Sequence, residues 1–369
     1  MKILLVTTKA TPGGVQVFIS SLAKSLVGHG HEVAVAAGVG NFLPDSLNKI
    51  PFLRLKSLVQ GASFLSLTHL PLELRRLVVK EGPDVVHLNG SHVLAGALLI
   101  FFMRNRPKLV FTIHGLSVLD PNYEQLKIKR CLYQKIFRFL LKKIDEVVYI
   151  CHKNLTDSPL LTQRSTSTIY NGIEPDQLFV SRLEARQEIG KLTGQDLKDK
   201  FLMVSIGRLA YQKNYKFLIE NWSHVLILKP NSCLVIFGQG EDERALKKMV
   251  RDYKYQDSIF ILDLAPASVY LKCADLYLQC SRYEGLPYAI LEAVQAELPI
   301  LASDVGGIRE ILNNDAQLFT LNDSQEFLEK LDNILSHQEK TALTIQNNYK
   351  RLSLFSLEKM TQAYLDIYQ

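Results

Sequence analysis

The sequence predicts an α/β chain built from two doubly wound, Rossmann-like domains, and three observations carry that prediction. At 369 residues the chain is long for one hydrophobic core and comfortable for two. Short unbroken apolar runs of strand length alternate with stretches of helical periodicity, the pattern of parallel strands joined by crossover helices. Strand, glycine turn and helix follow one another at the start of the chain, and strand and glycine turn recur in its second half, as if each half begins its own sheet.

Taken in order, Lys2–Thr7 (KILLVT) reads as a strand and Thr11-Pro12-Gly13-Gly14 as a turn. Val17 to Leu26 then has helical periodicity, Gly28-His29-Gly30 ends it, and Glu32 to Ala37 is a second strand. The turn puts backbone N–H groups at a helix start where a phosphate or sugar can approach. An ordinary tight turn explains the same glycines. Pro51 to Leu72 reads as an apolar loop. Asp84–Asn89 and Lys108–Gly115 are two further buried strands, and ligands gather at the carboxyl ends of such strands, which is where His114 stands.

Leu126 to Asp145 reads as a helix in which Leu132, Ile136, Phe139, Leu140 and Lys143 recur at helical spacing. Seven cations, Lys127, Lys129, Arg130, Lys135, Arg138, Lys142 and Lys143, crowd the remaining positions. Two readings stand beside each other: a core helix with a solvated basic face, and a basic amphipathic helix lying on an anionic membrane. Charge asymmetry favours the membrane. Residues 1 to 168 hold 21 Lys and Arg against 10 Asp and Glu, a formal +11, whereas the remainder holds 22 against 27, a formal −5. Nucleic acid is the competing polyanion, but no recognised binding motif is present.

Ile169 to Pro175 is turn-rich and marks the expected boundary, giving domains of 1–168 and 169–350 and a terminal helix over 351–369. Phe201 to Leu209 opens the second sheet, and Arg208 and Lys213 follow its strand and flank a helix start, a position for two cations to neutralise a diphosphate. Leu234 to Gly240 is another strand and glycine turn, and Ile259 to Pro266 a further strand.

The segment S-R-Y-E-G-L-P-Y-A-I-L-E-A-V-Q-A-E-L-P-I-L-A-S-D-V-G-G-I-R-E, residues 281–310, carries the chemistry. Pro287 suits a helix start and Leu298-Pro299 stops the helix, so Glu284 precedes it and Glu292 lies within it. Eight fully helical steps rise about 12 Å. Two carboxylates at that span, with free N–H groups of a first helical turn between them, suit a ligand with hydroxyls at both ends and an anion in the middle. A nucleotide sugar has that form.

The run E-G-L-P, then L-E-A, then A-S-D-V-G-G resembles the Glu-x7-Glu signature of the retaining GT-B glycosyltransferases, family 4-like, which include bacterial mannosyl-, glucosyl- and N-acetylglucosaminyltransferases of cell-surface polysaccharides. I-G-R-L-A-Y-Q-K-N is similar to that family's G-R-L with a following Q-K, T-I-H-G to its histidine segment, and G-Q-G at 238–240 to its G-x-G near the base. The resemblance implies two domains facing across a cleft, the acceptor on the first and the donor on the second. It implies that Arg208 and Lys213 hold the pyrophosphate, Glu292 the ribose, and Glu284 with the N–H groups of Gly285 and Leu286 the sugar. Gly13, Gly14 and Gly238 would lie beside the donor, His114 would orient the sugar, and the terminal helix would pack back onto the first domain. Tyr170 stands where the family often has proline, and Ile259 to Pro266 lacks the family's glycine, so base specificity does not transfer.

Composition is consistent with this. A hydrophobic fraction of 47% with 22% charged residues is that of a folded globular chain. Five cysteines without a C-x-x-C pair make a disulfide framework unexpected, and the longest apolar run, Val93 to Met103, is too short to span a bilayer. The expected place is the cytoplasm, peripheral on the inner membrane face. No D-x-D occurs and cations are present, so transfer is expected to need neither metal nor cofactor. The expected partners are a UDP- or GDP-sugar, a lipid-linked saccharide or lipopolysaccharide-type acceptor, and an anionic membrane. The rival readings are a non-catalytic membrane-surface partner of the same fold, a sugar-nucleotide epimerase and a phosphorylase.

Overall fold

The computed structural model describes residues 1–58, 64–123, 127–158, 160 and 165–369. They form two compact units, Met1–Ile173 with Phe355–Gln369, and Glu174–Leu354.

The first unit runs β1 (Lys2–Thr7), α1 (Gly14–Gly28), β2 (Glu32–Ala37), α2 (Phe42–Ser46), β3 (Phe52–Arg54), α3 (Phe64–Glu81), β4 (Val85–Asn89), α4 (Ser91–Gly96), β5 (Lys108–Ile113), α5 (Lys127–Leu141), β6 (Glu146–Tyr149), α6 (His152–Thr156) and β7 (Thr166–Thr168). Its seven strands lie in the order β3-β2-β1-β4-β5-β6-β7, and every pair is parallel. Parallel neighbours need a crossover, and a sheet covered on both faces calls for apolar side chains on both, which is why β1 and β4 are buried almost throughout. On one face Leu70, Leu74 and Val78 of α3, Val93 and Leu94 of α4, and Phe137, Leu140 and Leu141 of α5 share a cluster with Leu4, Val6, Val86, Leu88 and Phe111 of the strands.

The second unit continues with α7 (Arg182–Thr193), β8 (Phe201–Ile206), α8 (Tyr215–Leu228), β9 (Ser232–Phe237), α9 (Glu243–Asp252), β10 (Ile259–Leu262), β11 (Leu276–Gln279), α10 (Tyr288–Gln295), β12 (Ile300–Ser303), α11 (Ile308–Leu312), β13 (Leu318–Phe319), α12 (Ser324–Ser336) and α13 (Gln338–Arg351). Its six strands, all parallel, lie in the order β10-β9-β8-β11-β12-β13. Both sheets therefore reverse strand order beside their first strand, β1 next to β4 and β8 next to β11. In open parallel sheets that reversal is where a crevice opens at the carboxyl ends.

The last helix, α14 (Leu357–Tyr368), belongs to the first unit. It is held there by polar bonds as well as by packing beside α1. Tyr368 Oη lies 2.7 Å from His87 Nδ1, His87 Nε2 lies 2.7 Å from Thr112 Oγ1, and Tyr364 Oη lies 2.9 Å from the same hydroxyl. All four residues are buried, so each hydrogen bond spares a polar group from being left unpaired.

Two sequence expectations are corrected. Pro51 to Leu72 is not a loop: Phe52–Arg54 pairs with β2, and α3 begins at Phe64 and carries Pro71 inside it, while residues 59–63 lie outside the described residues. Leu126 also lies outside the described residues, and α5 stops at Leu141, so Lys142 and Lys143 stand in the turn before β6. That turn closes with Lys143 N donating to Leu140 O at 3.0 Å and Ile144 N to Leu141 O at 3.1 Å. Among the described residues, no helix is long and apolar enough to cross a membrane.

Candidate active site

In the second unit, the carboxyl ends of β8, β9, β11 and β12 converge on Glu284. Gly207 and Arg208 follow β8, and Gly207 N donates to Phe237 O at 3.0 Å. The turn after β9 lies so close that a Cβ on Gly238 would sit 2.0 Å from Gly207 O, so only glycine fits there. Packing alone thus accounts for Gly238. The loop after β12 closes from the other side. Gly306 has φ +53°, and a Cβ on it would stand 2.1 Å from Glu284 O, while Gly307 N donates to Gly285 O at 2.7 Å.

Glu284 is buried, 6% exposed, and its carboxylate is surrounded by donors. Lys213 Nζ approaches Oε1 to 2.6 Å, Ser281 Oγ donates to Oε1 at 2.7 Å and Gln279 Nε2 at 3.1 Å, and Gln212 Nε2 reaches Oε2 at 3.4 Å. Lys213 and Glu284 therefore neutralise one another in a partly desolvated place, where removing either partner is costly. The sequence reading gave them separate ligand contacts. The structure joins them, and it adds Gln212 and Ser281, which stand inside the quoted segments without an assigned role, and Gln279, which no motif or periodicity marks.

Arg208 stands apart. Its side chain is 61% exposed and, among the described residues, pairs with Glu241 at 3.4 Å, a surface pair of little energetic weight. A bound anion can recruit it without opening a buried pair. The loop after Glu284 leads through Pro287 into α10. Glu292 lies one turn into α10, half-buried, and burial pushes its carboxyl up to about 7 against the opposing effect of a hydrogen bond with Ser268. Ser268 sits just after Pro266, so the segment following β10 faces Glu292.

In the first unit, Gly13 and Gly14 open α1, with Gly13 O accepting from Gln16 N and Val17 N, each at 3.0 Å. His114 follows β5. Its Nε2 lies 2.8 Å from Asn89 Oδ1, at the end of β4, and the Phe18 ring meets it edge-on at 4.7 Å. Burial pushes His114 down to about 3, so it is neutral near pH 7 and suited to hydrogen bonding rather than to carrying a proton.

The basic helix is resolved into two faces. Phe137, Leu140 and Leu141 are buried in the core, with Tyr133 stacked on Phe137 at 4.5 Å. Leu132, Ile136 and Phe139 are 59%, 50% and 55% exposed. Lys135, Arg138, Lys142 and Lys143 are exposed around them. Arg130 is not part of this face, because it donates to Leu119 O. The side chains of Lys127 and Lys129 lie outside the described residues.

Two family models match the chain, Glycosyltransferase Family 4 over residues 12–177 and Glycosyl transferases group 1 over residues 191–351. The chain belongs to the family 4-like glycosyltransferases. It is 25% identical over 310 residues to an Escherichia coli UDP-Gal:alpha-D-GlcNAc-diphosphoundecaprenol alpha-1,3-galactosyltransferase, covering 80% of this chain and 78% of that one. It is 24% identical over 349 residues to a phosphatidylinositol N-acetylglucosaminyltransferase polypeptide of Arabidopsis thaliana, covering 91% and 74%. Among solved structures, sucrose-phosphate synthase from Thermosynechococcus elongatus aligns with a TM-score of 0.83 at 16% identity, covering 100% of this chain and 98% of that one. Anabaena HepE in complex with UDP and glucose aligns with a TM-score of 0.80 at 20% identity, covering 100% and 99%. These likenesses show the GT-B fold.

Proposed function

We propose that this glycosyltransferase moves a hexose from a UDP-sugar to a lipid-linked saccharide at an anionic membrane surface, with retention of anomeric configuration and without a metal ion. The observation that carries the reading is the convergence, at the β8–β11 reversal, of the Lys213–Glu284 pair, exposed Arg208 and the start of α10. Glu292 holds the ribose hydroxyls, Arg208 meets the diphosphate, Glu284 with the N–H groups around Gly285 and Leu286 faces the sugar, and the Lys213 ammonium stays in place against Glu284.

Cleavage of the bond from the anomeric carbon to phosphate leaves negative charge on the diphosphate, and preorganised donors stabilise that charge without reorganising. The acceptor hydroxyl forms the new bond on the face the diphosphate leaves, and its proton passes to the departing phosphate oxygen. No side chain is assigned as a covalent nucleophile. The E. coli relative is named for a UDP-sugar and a diphosphoundecaprenol-linked acceptor, which supports the donor and acceptor classes proposed for this chain, and the complex of Anabaena HepE with UDP is in keeping with the donor nucleotide.

The membrane half of the reading rests on charge and exposed apolar surface together. Leu132, Ile136 and Phe139 lie among four exposed cations. Phe102, 71% exposed, precedes β5 in a segment tied to the turn after α5 by the Arg106–Asp145 pair, whose two contacts are both 2.6 Å. Apolar side chains ringed by cations suit the interface of an anionic bilayer. The test is incubation with UDP-hexoses and an undecaprenyl-diphosphate-linked sugar in EDTA, with UDP release and the anomeric signal of the product followed by NMR. An α-linked product from an α-linked donor supports the proposal. An inverted product, or turnover that appears only when a divalent ion is added, overturns it.

A further inference from the structure

Within the Glu174–Leu354 unit, a cavity of about 370 Å³ opens beside the starts of α8 and α12, and neither Lys213 nor Glu284 lines it. Its wall carries hydrogen-bonding groups that the fold does not use. Asn221 of α8 is 6% exposed, and its Nδ2 donates to Phe217 O at 2.9 Å. A backbone carbonyl only accepts, so the amide oxygen is turned the other way, and it has no hydrogen-bond partner among the described residues. Asn221 lines the cavity, so that oxygen is offered to whatever fills it. Asn214 and Asn322, also in the wall, join one amide to the other at 3.0 Å. Whichever way the two are turned, one acceptor oxygen and one NH₂ group are left over. Glu220 adds a carboxylate, 3.3 Å from the Lys216 ammonium, and Arg282 adds a guanidinium lying over the Tyr211 ring at 4.5 Å.

We propose that this cavity is a saccharide site, separate from the Lys213–Glu284 site, that takes one hexose unit through its hydroxyl groups. A hydroxyl both donates and accepts, so one sugar ring can give protons to the Asn221 oxygen and the Glu220 carboxylate while accepting from an asparagine NH₂ and from Arg282. A phosphate ester dianion only accepts. It would suit the cations, but it would set oxygen against oxygen at Asn221 and charge against charge at Glu220. An apolar ligand would leave the whole polar wall unpaired. Phe217, which also lines the cavity, gives the C–H face of a sugar ring an apolar surface to lie on. The volume is at the lower end of the range for small-molecule sites, about 300–1,000 Å³, and suits a single ring, either a free sugar or one unit of a glycan.

Saturation-transfer NMR on the full chain tests this with the methyl α-glycosides of glucose, galactose, mannose and N-acetylglucosamine, and with their α-linked disaccharides, each with and without UDP. At least one glycoside should receive saturation from the protein, with the same dissociation constant whether or not UDP is present. A disaccharide that binds more tightly than its monosaccharide marks a glycan as the source, and equal binding marks a free sugar; either supports the site. Asn221→Ala should raise the dissociation constant about tenfold, the weight of one hydrogen bond of about 1.4 kcal/mol. Asn322→Ala, at an exposed position, should also weaken binding and keeps the test open should the first variant fail to fold. Saturation of none of the sugars, or a dissociation constant unmoved in the folded variants, overturns the proposal. Binding that requires UDP would place the sugar beside the nucleotide instead, and displacement of the sugar by inorganic phosphate would make the cavity an anion site; each of these also overturns it.

Discussion

Replacing Lys213 by Met tests the pair at the centre of the candidate site. The change removes the ammonium that lies 2.6 Å from a carboxylate only 6% exposed, while Ser281, Gln279 and Gln212 remain as donors to it. Breaking one partner of a buried pair costs about 3–5 kcal/mol, and the remaining donors place this case at about 3 kcal/mol. At about 2–4 °C per kcal/mol for a unit of this size, the melting of Glu174–Leu354 should fall by about 6–12 °C. The charge-neutral double variant Lys213→Met with Glu284→Gln should recover most of that loss. Both variants should nevertheless lose at least about a hundredfold in kcat, the scale seen when one preorganised charge-stabilising donor is removed. Differential scanning calorimetry and UDP-release assays measure the two effects. A single variant melting within about 1 °C of the wild type, or a double variant less stable than the single, would refute the buried-pair account.

Three further outcomes follow from the titrating groups and the exposed helix. Folding raises the Glu292 carboxyl to about 7, so its burial cost is absent below its ordinary value near 4.5, grows through the window between, and is fully present above about 7. Glu292→Gln should therefore melt higher than the wild type at pH 8, by at most about 3 kcal/mol, and equally near pH 4.5, while binding UDP more weakly at pH 8; an unchanged pH profile of melting refutes the assignment. His87 and His114 are pushed down to about 3 from an ordinary 6.5, so the stability they contribute is complete above about pH 6.5 and falls at about 1.4 kcal/mol per pH unit for each as the pH drops below it. Hydrogen exchange at pH 5 should show first-sheet amides losing protection ahead of second-sheet amides, and equal loss in both units would contradict this. Replacing Lys135, Arg138, Lys142 and Lys143 by Gln should weaken binding to phosphatidylglycerol vesicles by about a thousandfold, at about 1 kcal/mol per cation, and leave UDP binding unchanged. Binding that is insensitive to this replacement removes the membrane reading.

Much of the fold is legible in the sequence where burial imposes a pattern. β1 and β2 have the limits the apolar runs give them, because a strand covered on both faces has no room for polar residues. The segment from Pro51 to Leu72 defeats the same reasoning, because Pro71 looks like punctuation and yet lies inside α3. The short edge strands β7 and β13 carry too few residues to show any period. In the candidate site, Glu284, Glu292, Arg208 and Lys213 stand out through their spacing. Their contacts do not, since Lys213 and Glu284 are 71 residues apart and meet only because β8 and β11 are neighbours. Likewise Asn89, which orients His114 from the adjacent strand, sits in an ordinary strand end. The helical spacing of Leu132, Ile136 and Phe139 is visible in the sequence, but that these side chains face outward depends on Phe137, Leu140 and Leu141 filling the core.

The central claim is a nucleotide-diphosphate site built from Arg208, Lys213, Glu284 and Glu292 in the second unit. Thermal stabilisation by UDP and by GDP in EDTA tests it most directly. At a hundred times its dissociation constant a bound nucleotide adds about 2.7 kcal/mol. UDP should raise the melting temperature of the wild type, and Arg208→Met with Glu292→Gln should abolish the shift. Stabilisation by neither nucleotide, or an undiminished shift in that double variant, would contradict it.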